Sequence, residues 1–219
     1  LERLHILLSE HANEQALLEA ESLIKFEPCE ARYIQGKALR KIRKYKQALI
    51  KLKQAKSNCE KSSEYWMKSN LLAAQVHTIK RQVKAVRQIV ADMKKVNPKH
   101  SFIDDAMVQL ARAHERVGRD KKARDVLAQL LKDFPEGDQA HFAAWRTAYS
   151  HIRKKNYKKA APWLKHLRGR HAPQGKYWLA KGFEKSSSQE AIKQYVALIH
   201  EHPLTFYSWL AMGQLERLD

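Results

Sequence analysis

Glycine and proline are scarce in this chain, with 7 Gly and 6 Pro among 219 residues. This scarcity, together with abundant Ala, Leu, Lys and Gln, argues against a strand-rich fold and predicts an all-helical chain. No apolar run approaches the ~18–20 residues of a membrane span, which argues against an integral membrane protein. The composition, 44% hydrophobic and 30% charged, is typical of a folded protein with a substantial core.

Acidic residues are missing from two long stretches of the chain. Residues 32–56 contain 10 Lys and Arg and no acid, and residues 139–183 contain 11 and no acid. The formal net charge is +19. Such charge attracts polyanions such as nucleic acid, acidic glycans or anionic lipid surfaces, although solvated helix faces that only aid solubility look similar. The two acid-free stretches favour an anionic partner.

Motifs of catalysis and metal binding are missing as well. The sequence has no HExxH or CxxC spacing, no Gly-rich phosphate loop and no Gly-x-Ser-x-Gly elbow. His200 and His202 are too few and too close in sequence for a metal site. Since no arrangement supplies a nucleophile or an acid–base pair, we predict a non-catalytic chain that uses neither metal nor cofactor.

A helical repeat is the clearest pattern that is present. Residues 104–135, DDAMVQLARAHERVGRDKKARDVLAQLLKDFP, indicate two amphipathic helices joined near Gly118, with Pro135 ending the second. Related units occupy residues 33–59, 69–98, 144–171 and 175–219. Their spacing is close to the ~34-residue period of tetratricopeptide repeats, which the units resemble.

This period predicts an all-α fold, a right-handed α-α superhelix of about five stacked helix pairs. We expect a single solenoid domain over residues 1–219, with 175–219 as its terminal repeat. Pro162 departs from the pattern because it lies inside the helix predicted to begin near Asn156, where it removes a hydrogen bond. That helix either bends at Pro162 or begins later in the sequence.

The first helix of each pair is expected to line a concave groove. Counted from the small residue of each unit, the inward positions are Tyr33, Lys37, Arg40, Asn70, His77, Arg112, Arg116, Trp145, Tyr149 and Arg153. Aromatic rings interleaved with cations can stack on sugars or bases and pair with anions. Trp145 and Tyr149, one helical turn apart, fit simple core packing equally well.

The chain has only two cysteines, and their positions suggest a pair. Cys29 begins a first helix and Cys59 ends its partner, so antiparallel packing brings them side by side. A disulfide there closes a loop of ~30 residues and stabilises the fold by ~3 kcal/mol. Two buried free thiols are the alternative. A disulfide would indicate an oxidising compartment such as the periplasm.

The C-terminal third carries a more specific likeness. Its matching residues are Tyr177, Trp178, Leu179, Ala180, Ala191, Tyr195, Pro203, Tyr207, Leu210, Ala211 and Leu215. In this order they resemble the end of the helical region of soluble lytic transglycosylases. Residues 97–123 and 133–164 look similar to the preceding repeats of that family, whereas residues 1–96 match only as generic helical repeats.

The resemblance implies a periplasmic protein of a Gram-negative bacterium that works on peptidoglycan. In that family a lysozyme-like domain cleaves the MurNAc–GlcNAc bond with a single catalytic Glu and leaves an anhydro sugar. Such a domain would begin after Asp219, so no catalytic Glu is assigned here. The resemblance therefore predicts a non-catalytic superhelical domain that positions or binds peptidoglycan for cleavage.

Two other functions stay open. A free-standing tetratricopeptide scaffold would bind a protein or an extended acidic peptide in the groove. Nucleic-acid binding rests only on the net charge of +19, since no recognised nucleic-acid module occurs in the sequence. Nucleic acid is therefore the least favoured partner.

Overall fold

The computed structural model describes residues 1–218, and this part of the chain folds into 13 α-helices without any strand. The helix order confirms the predicted fold class, an all-α solenoid of stacked helix pairs. Among the described residues, none of the helices combines the length and apolarity needed to cross a bilayer. The helices group into two compact units, Leu1–Val126 and the residues from Leu127 onward. The single-domain organisation stays a prediction.

The first compact unit contains three complete helix pairs and the start of a fourth. Its helices are α1 (Glu2–Ser9), α2 (Asn13–Ser22), α3 (Pro28–Lys41), α4 (Tyr45–Asn58), α5 (Glu64–Ile79), α6 (Val83–Val96), α7 (Phe102–Glu115) and the first half of α8 (Asp120–Asp133). The pair α1 and α2 precedes the repeats that the sequence period indicates. Each first helix also contacts the next first helix, α1 with α3, α3 with α5 and α5 with α7, so these helices share one side of the stack.

The second compact unit holds the end of α8 and five further helices. They are α9 (Ala140–Ile152), α10 (Tyr157–Leu164), α11 (Ala172–Phe183), α12 (Ser188–Glu201) and α13 (Phe206–Leu215), with a short 3₁₀ turn at Gly169–His171. A core of Tyr177, Ala180, Ala191, Tyr195, Leu198 and Ala211 joins α11, α12 and α13.

The turns inside the pairs from α1–α2 to α9–α10 repeat one backbone pattern, which the turn between α11 and α12 does not share. The residues with positive φ in these turns are His11, Arg43, Arg81 and Gly118 in the first unit and Lys155 in the second. The next amide donates to the carbonyl five residues back, as from Lys44 N to Leu39 O at 2.9 Å. This is the hydrogen bond of a Schellman ending, in which glycine is the unstrained residue. The repeat is therefore visible in the backbone even where the sequence lacks glycine.

Close packing of the helices depends on small side chains. Gly36 of α3 lies against Leu52 of α4, and a Cβ added at Gly36 would lie 2.6 Å from Leu52 Cγ. In the second unit, a Cβ on Gly175 of α11 would lie 2.7 Å from the carbonyl oxygen of Leu164. These distances are shorter than van der Waals contact, so both positions require glycine.

Pro162 lies inside α10, which is shorter than its counterparts. The helix begins at Tyr157, with the Asn156 side chain accepting a hydrogen bond from Lys159 N at 3.2 Å. The helix therefore does not begin later, which was one of the two alternatives. It has 8 residues, whereas α4 has 14, and it ends at Leu164, two residues after the proline. The missing amide explains why α10 stops early.

Candidate functional site

The residues predicted to line the groove differ widely in exposure. Tyr33 and Asn70 are buried, Lys37, Arg40, His77 and Trp145 are half-buried, and Arg112, Arg116, Tyr149 and Arg153 are exposed. Asn70 is 0% exposed, and its amide donates to the Trp66 carbonyl at 3.0 Å. A ligand on the surface does not reach Asn70, so we leave this residue out of the site.

The structure brings three of the predicted residues, Tyr33, Lys37 and Arg40, to one place on α3. Tyr65 and Lys68 of α5 and His5 of α1 lie beside them. The rings of Tyr33 and Tyr65 meet edge to face, with centroids 5.3 Å apart. We call the half-buried group His5, Lys37, Arg40, Tyr65 and Lys68 the Tyr65 surface.

Hydrogen bonds and ion pairs fix the orientation of the Tyr65 ring. Its hydroxyl lies 3.3 Å from His5 Nε2, which ties α5 to α1. Lys68 Nζ lies 4.9 Å from the Tyr65 ring centroid and 2.5 Å from Glu64 Oε1. One side of the ring is thus occupied by a cation, in the arrangement expected for cation–π attraction.

Positive charge is concentrated on the same surface. Burial lowers the pKa of Lys37, and the nearby cations Lys41 and Lys68 lower it further. Burial also lowers the pKa of His5, with Lys37 again adding to the effect. Lys37 has no ion pair with a carboxylate anywhere in the described part of the chain. Lys68 is paired with Glu64, whereas Lys37 and Arg40 have no carboxylate partner, so an anion bound beside these two would relieve the repulsion between them.

Two buried polar features lie close to these cations. The Nε of Arg40 is buried and has no hydrogen-bond partner among residues 1–218. Tyr33, 8% exposed, packs beneath the surface, and burial raises its pKa to about 12. Tyr33 therefore stays a neutral hydroxyl at physiological pH and supplies a ring and an O–H group, never a charge.

The second unit contains a separate group of aromatic side chains. The Trp145 ring lies 5.3 Å from Tyr149 on the same helix and 6.2 Å from Trp178 of α11. Tyr149 is 39% exposed, and the two tryptophans are half-buried. We call these three side chains the Trp145 platform. Their rings are therefore partly packed in the core and partly exposed to a ligand, so neither the core interpretation nor the groove interpretation describes them completely.

Cys29 and Cys59 form a disulfide, the pairing that their positions at adjacent helix ends predict. The two Cα atoms are 4.7 Å apart, and the residues are separated by 30 positions in the sequence. The bond joins the first turn of α3 to the end of α4. It therefore fixes the helix that carries Lys37 and Arg40.

The sequence pattern missed His5, Tyr65, Lys68 and Trp178. Tyr65 lies eight residues, about two helical turns, before Ala73, the small residue from which the groove positions of α5 are counted, and His5 belongs to the pair that the period does not indicate. Trp178 is among the residues that carry the family likeness, which gives it no role in a site. Extending the count to two helical turns before Ala73 would have reached Tyr65.

Comparison with known proteins finds one family similarity, in the middle of the chain. Residues 104–147 match the family described as Tetratricopeptide repeat. The matched residues span α7, α8 and the start of α9. No curated protein matches this sequence.

Two solved structures are similar in fold. One is the structure of Naa15/Naa10 bound to HypK-THB, with 19% identity, a TM-score of 0.49, and coverage of 95% of this chain and 32% of that chain. The other is the C-terminal part of a TPR repeat-containing protein from Cytophaga hutchinsonii, with 13% identity, a TM-score of 0.40, and coverage of 96% and 98%. This chain thus spans about a third of the length of the first.

The family match and the helix pairs fit a tetratricopeptide-like helical-repeat protein. They give no support to the lytic transglycosylase family, to peptidoglycan or to the periplasm, which the likeness in the C-terminal third implies. The class of fold is therefore known, but a fold does not define a ligand, so the ligand has to be argued from the chemistry of the surfaces.

Proposed function

We propose that this protein is a helical-repeat scaffold that binds an extended, carboxylate-bearing segment of a partner protein at the Tyr65 surface. The observation that carries this proposal is the pair of half-buried cations, Lys37 and Arg40, which lack carboxylate partners. Half-buried charges are costly when unpaired, and a carboxylate from a partner would restore the missing interactions.

The surrounding side chains suit a peptide. Tyr65 offers a ring and His5 an imidazole, so an apolar side chain of the peptide would contact the Tyr65 ring while its carboxylate meets Lys37. First helices that share one side of a repeat stack are a usual binding surface for extended segments. Lys68 is already paired with Glu64 and would contribute mainly through its charge.

Binding of a model peptide tests the proposal. The probe is a twelve-residue peptide of Asp and Glu with interspersed Leu, titrated into the protein by calorimetry. We expect Lys37→Gln and Arg40→Gln each to weaken binding about tenfold, because each removes a charge-assisted hydrogen bond from a half-buried site. Lys53→Gln, an exposed lysine on α4, is the matched control and should leave affinity unchanged.

The pKa of Lys37 supplies a second readout. Burial and neighbouring cations lower this pKa, so a bound carboxylate raises it and the complex takes up protons at alkaline pH. Titrations at a series of alkaline pH values, each in two buffers of different ionisation enthalpy, should reveal uptake that Lys37→Gln abolishes. Equal weakening by Lys37→Gln and Lys53→Gln, without proton uptake, would refute the Tyr65 surface as the site.

Peptidoglycan is a second candidate ligand, and the disulfide is the observation that favours it. Stable disulfides occur mainly in oxidising compartments, so we propose a periplasmic location. A net charge of +19 suits a wall polymer that carries free peptide carboxylates. The role would be that of a non-catalytic superhelical domain beside a lysozyme-like domain.

Purified sacculi distinguish the two candidates. A wall-binding domain should sediment with sacculi at low salt and be released at high salt, because exposed charges are screened beyond ~8 Å at physiological ionic strength. Anhydro-muropeptides released by the product of a longer reading frame, and not by residues 1–219, would support the wall function. Sedimentation that salt does not change would contradict the electrostatic account.

A further inference from the structure

A second cationic feature of the first unit lies away from the Tyr65 surface. It is an open cleft of about 510 Å³ where the α5–α6 turn and the α7–α8 turn meet. Its lining residues are His77, Arg81, Gln82, Val83, Lys84, Ala85, Val117 and Arg119. We call it the Arg81 cleft. No acidic residue lines it, although the sequence contains 23 Asp and Glu.

The cations of the cleft are free. Arg81, Lys84 and Arg119 are exposed and form no ion pair within residues 1–218. The backbone fixes two of them in place. Arg81 holds the positive-φ position of its turn, with φ of 57°, and Arg119 N donates to His114 O at 2.9 Å across the neighbouring turn. The positive side chains therefore project from well-defined turns.

Between the cations, the cleft has an apolar floor and a polar edge. Val83, Ala85 and Val117 supply aliphatic surface. His77 Nδ1 lies 2.7 Å from Gln82 Oε1, so the Gln82 side chain is held by His77. No side chain caps the N-terminus of α6, and its first turn contains no acid. The first amides of α6 add to the positive potential that the three cations set up.

We infer that the Arg81 cleft binds an acidic peptide segment, with the carboxylates on Arg81, Lys84 and Arg119 and the aliphatic stems on the half-buried Ala85 and Val117. The combination of cations and aliphatic floor selects this ligand class. Glu and Asp side chains bear both a carboxylate and a short aliphatic stem, whereas a bare phosphate would leave the floor unused. The cleft volume, about 510 Å³, is large enough for several side chains.

This site is independent of the Tyr65 surface, because it uses turn residues instead of the exposed face of α3 and α5. The test uses the same Asp- and Glu-rich peptide and a matched pair of lysines on α6. Lys84 lines the cleft at the start of α6, whereas Lys95 is exposed near its end. Lys84→Gln and Lys95→Gln change the net charge equally, so any difference between them reports position.

We expect the double variant Lys84→Gln/Arg119→Gln to weaken peptide binding at the cleft about tenfold, measured in the Lys37→Gln background so that the Tyr65 surface does not mask the loss, and Lys95→Gln to change it less than about twofold. In hydrogen exchange, bound peptide should slow the first amides of α6, Val83 and Lys84, and this slowing should be absent in the double variant. Because both substituted side chains are exposed, circular dichroism should show unchanged folding.

Three results would overturn the inference. If Lys84→Gln and Lys95→Gln weaken peptide binding equally, the net charge of the protein attracts the peptide and the cleft is not a specific site. Slowed amides with soluble muropeptides and not with the acidic peptide would assign the cleft to wall stem peptides. If Lys37→Gln weakens binding and the double variant does not, the peptide binds at the Tyr65 surface and not in the cleft. The opposite result would support the cleft and reject the Tyr65 surface.

Discussion

The two compact units use the same helix-pair repeat and present different chemistry at their surfaces. In the first unit, α3 and α5 carry the cations and tyrosines of the Tyr65 surface, and the Arg81 cleft adds three more free cations. In the second unit, the end of the chain exposes apolar side chains, with Leu204 99% and Trp209 68% exposed. The units thus share the helix-pair repeat and differ in the chemistry of their exposed side chains.

The units also differ in how their helices are fixed. A disulfide joins α3 to α4 in the first unit. In the second, a hydrogen-bonded group links three helices: the Tyr195 hydroxyl donates to Glu184 at 2.7 Å, and Lys181 donates to Glu184 at 3.0 Å and to Gln214 at 2.8 Å. Backbone repeats alone therefore predict neither the ligand nor the source of stability, and each unit has to be analysed from its own side chains.

Removing the disulfide should have the largest effect on stability. Cys29→Ala/Cys59→Ala opens a loop of 30 residues, which in the chain-entropy model lowers the free energy of unfolding by about 3–4 kcal/mol. Denaturant unfolding measures the total loss, and hydrogen exchange should show the largest loss of protection in α3 and α4.

Reduced wild-type protein is the control for this prediction. Reduction breaks the bond and leaves the side chains nearly unchanged in size, so reduced protein and the double variant should unfold at similar denaturant concentrations. A loss below about 1 kcal/mol would mean that the bond contributes little beyond the helix packing already present.

Gly175→Ala should have the next largest effect and should act in the second unit. The new Cβ would lie 2.7 Å from a backbone carbonyl oxygen, that of Leu164, which cannot rotate away as a side chain can. Forcing α10 and α11 apart should lower the free energy of unfolding by about 1–3 kcal/mol. Thermal unfolding and exchange of α10 and α11 peptides measure this loss.

Gly213→Ala is the matched control for that variant. Gly213 also lies in a helix, α13, and a Cβ added there meets no atom within 4 Å. The same substitution should therefore stabilise the protein by about 0.5–1 kcal/mol through helix propensity. Destabilisation at both positions would show that α13 makes contacts that its open surroundings do not suggest.

The sequence predicted the fold better than the site, for identifiable reasons. Helix pairs follow from apolar spacing and from small residues such as Ala48 and Ala123, which are fully or almost fully buried as the period requires. Cys29 and Cys59 could be paired because antiparallel helices place their opposite ends together. Both inferences depend on local geometry.

The residues of the site depend on neighbours far apart in the sequence. His5 meets Tyr65 across 60 positions, and the spacing of one repeat gives no indication of this contact. Asn70 occupied an inward position by count and is buried because Trp66 accepts its hydrogen bond one turn earlier. The Arg81 cleft joins two turns, so a search for motifs along one helix could not find it.

The intra-pair turns are the feature in which the two units are alike, and they give the smallest expected effect. Arg43 in the first unit and Lys155 in the second both have positive φ, 62° and 54°. Glycine adopts this conformation without the strain of about 1–2 kcal/mol that a Cβ causes, and this relief exceeds the entropy of about 0.5–1 kcal/mol that glycine loses on folding, so Arg43→Gly and Lys155→Gly should each stabilise the protein by about 0.5 kcal/mol. Denaturant unfolding measures both variants. Stabilisation by Arg43→Gly together with destabilisation by Lys155→Gly would show that the same backbone conformation carries different strain in the two units.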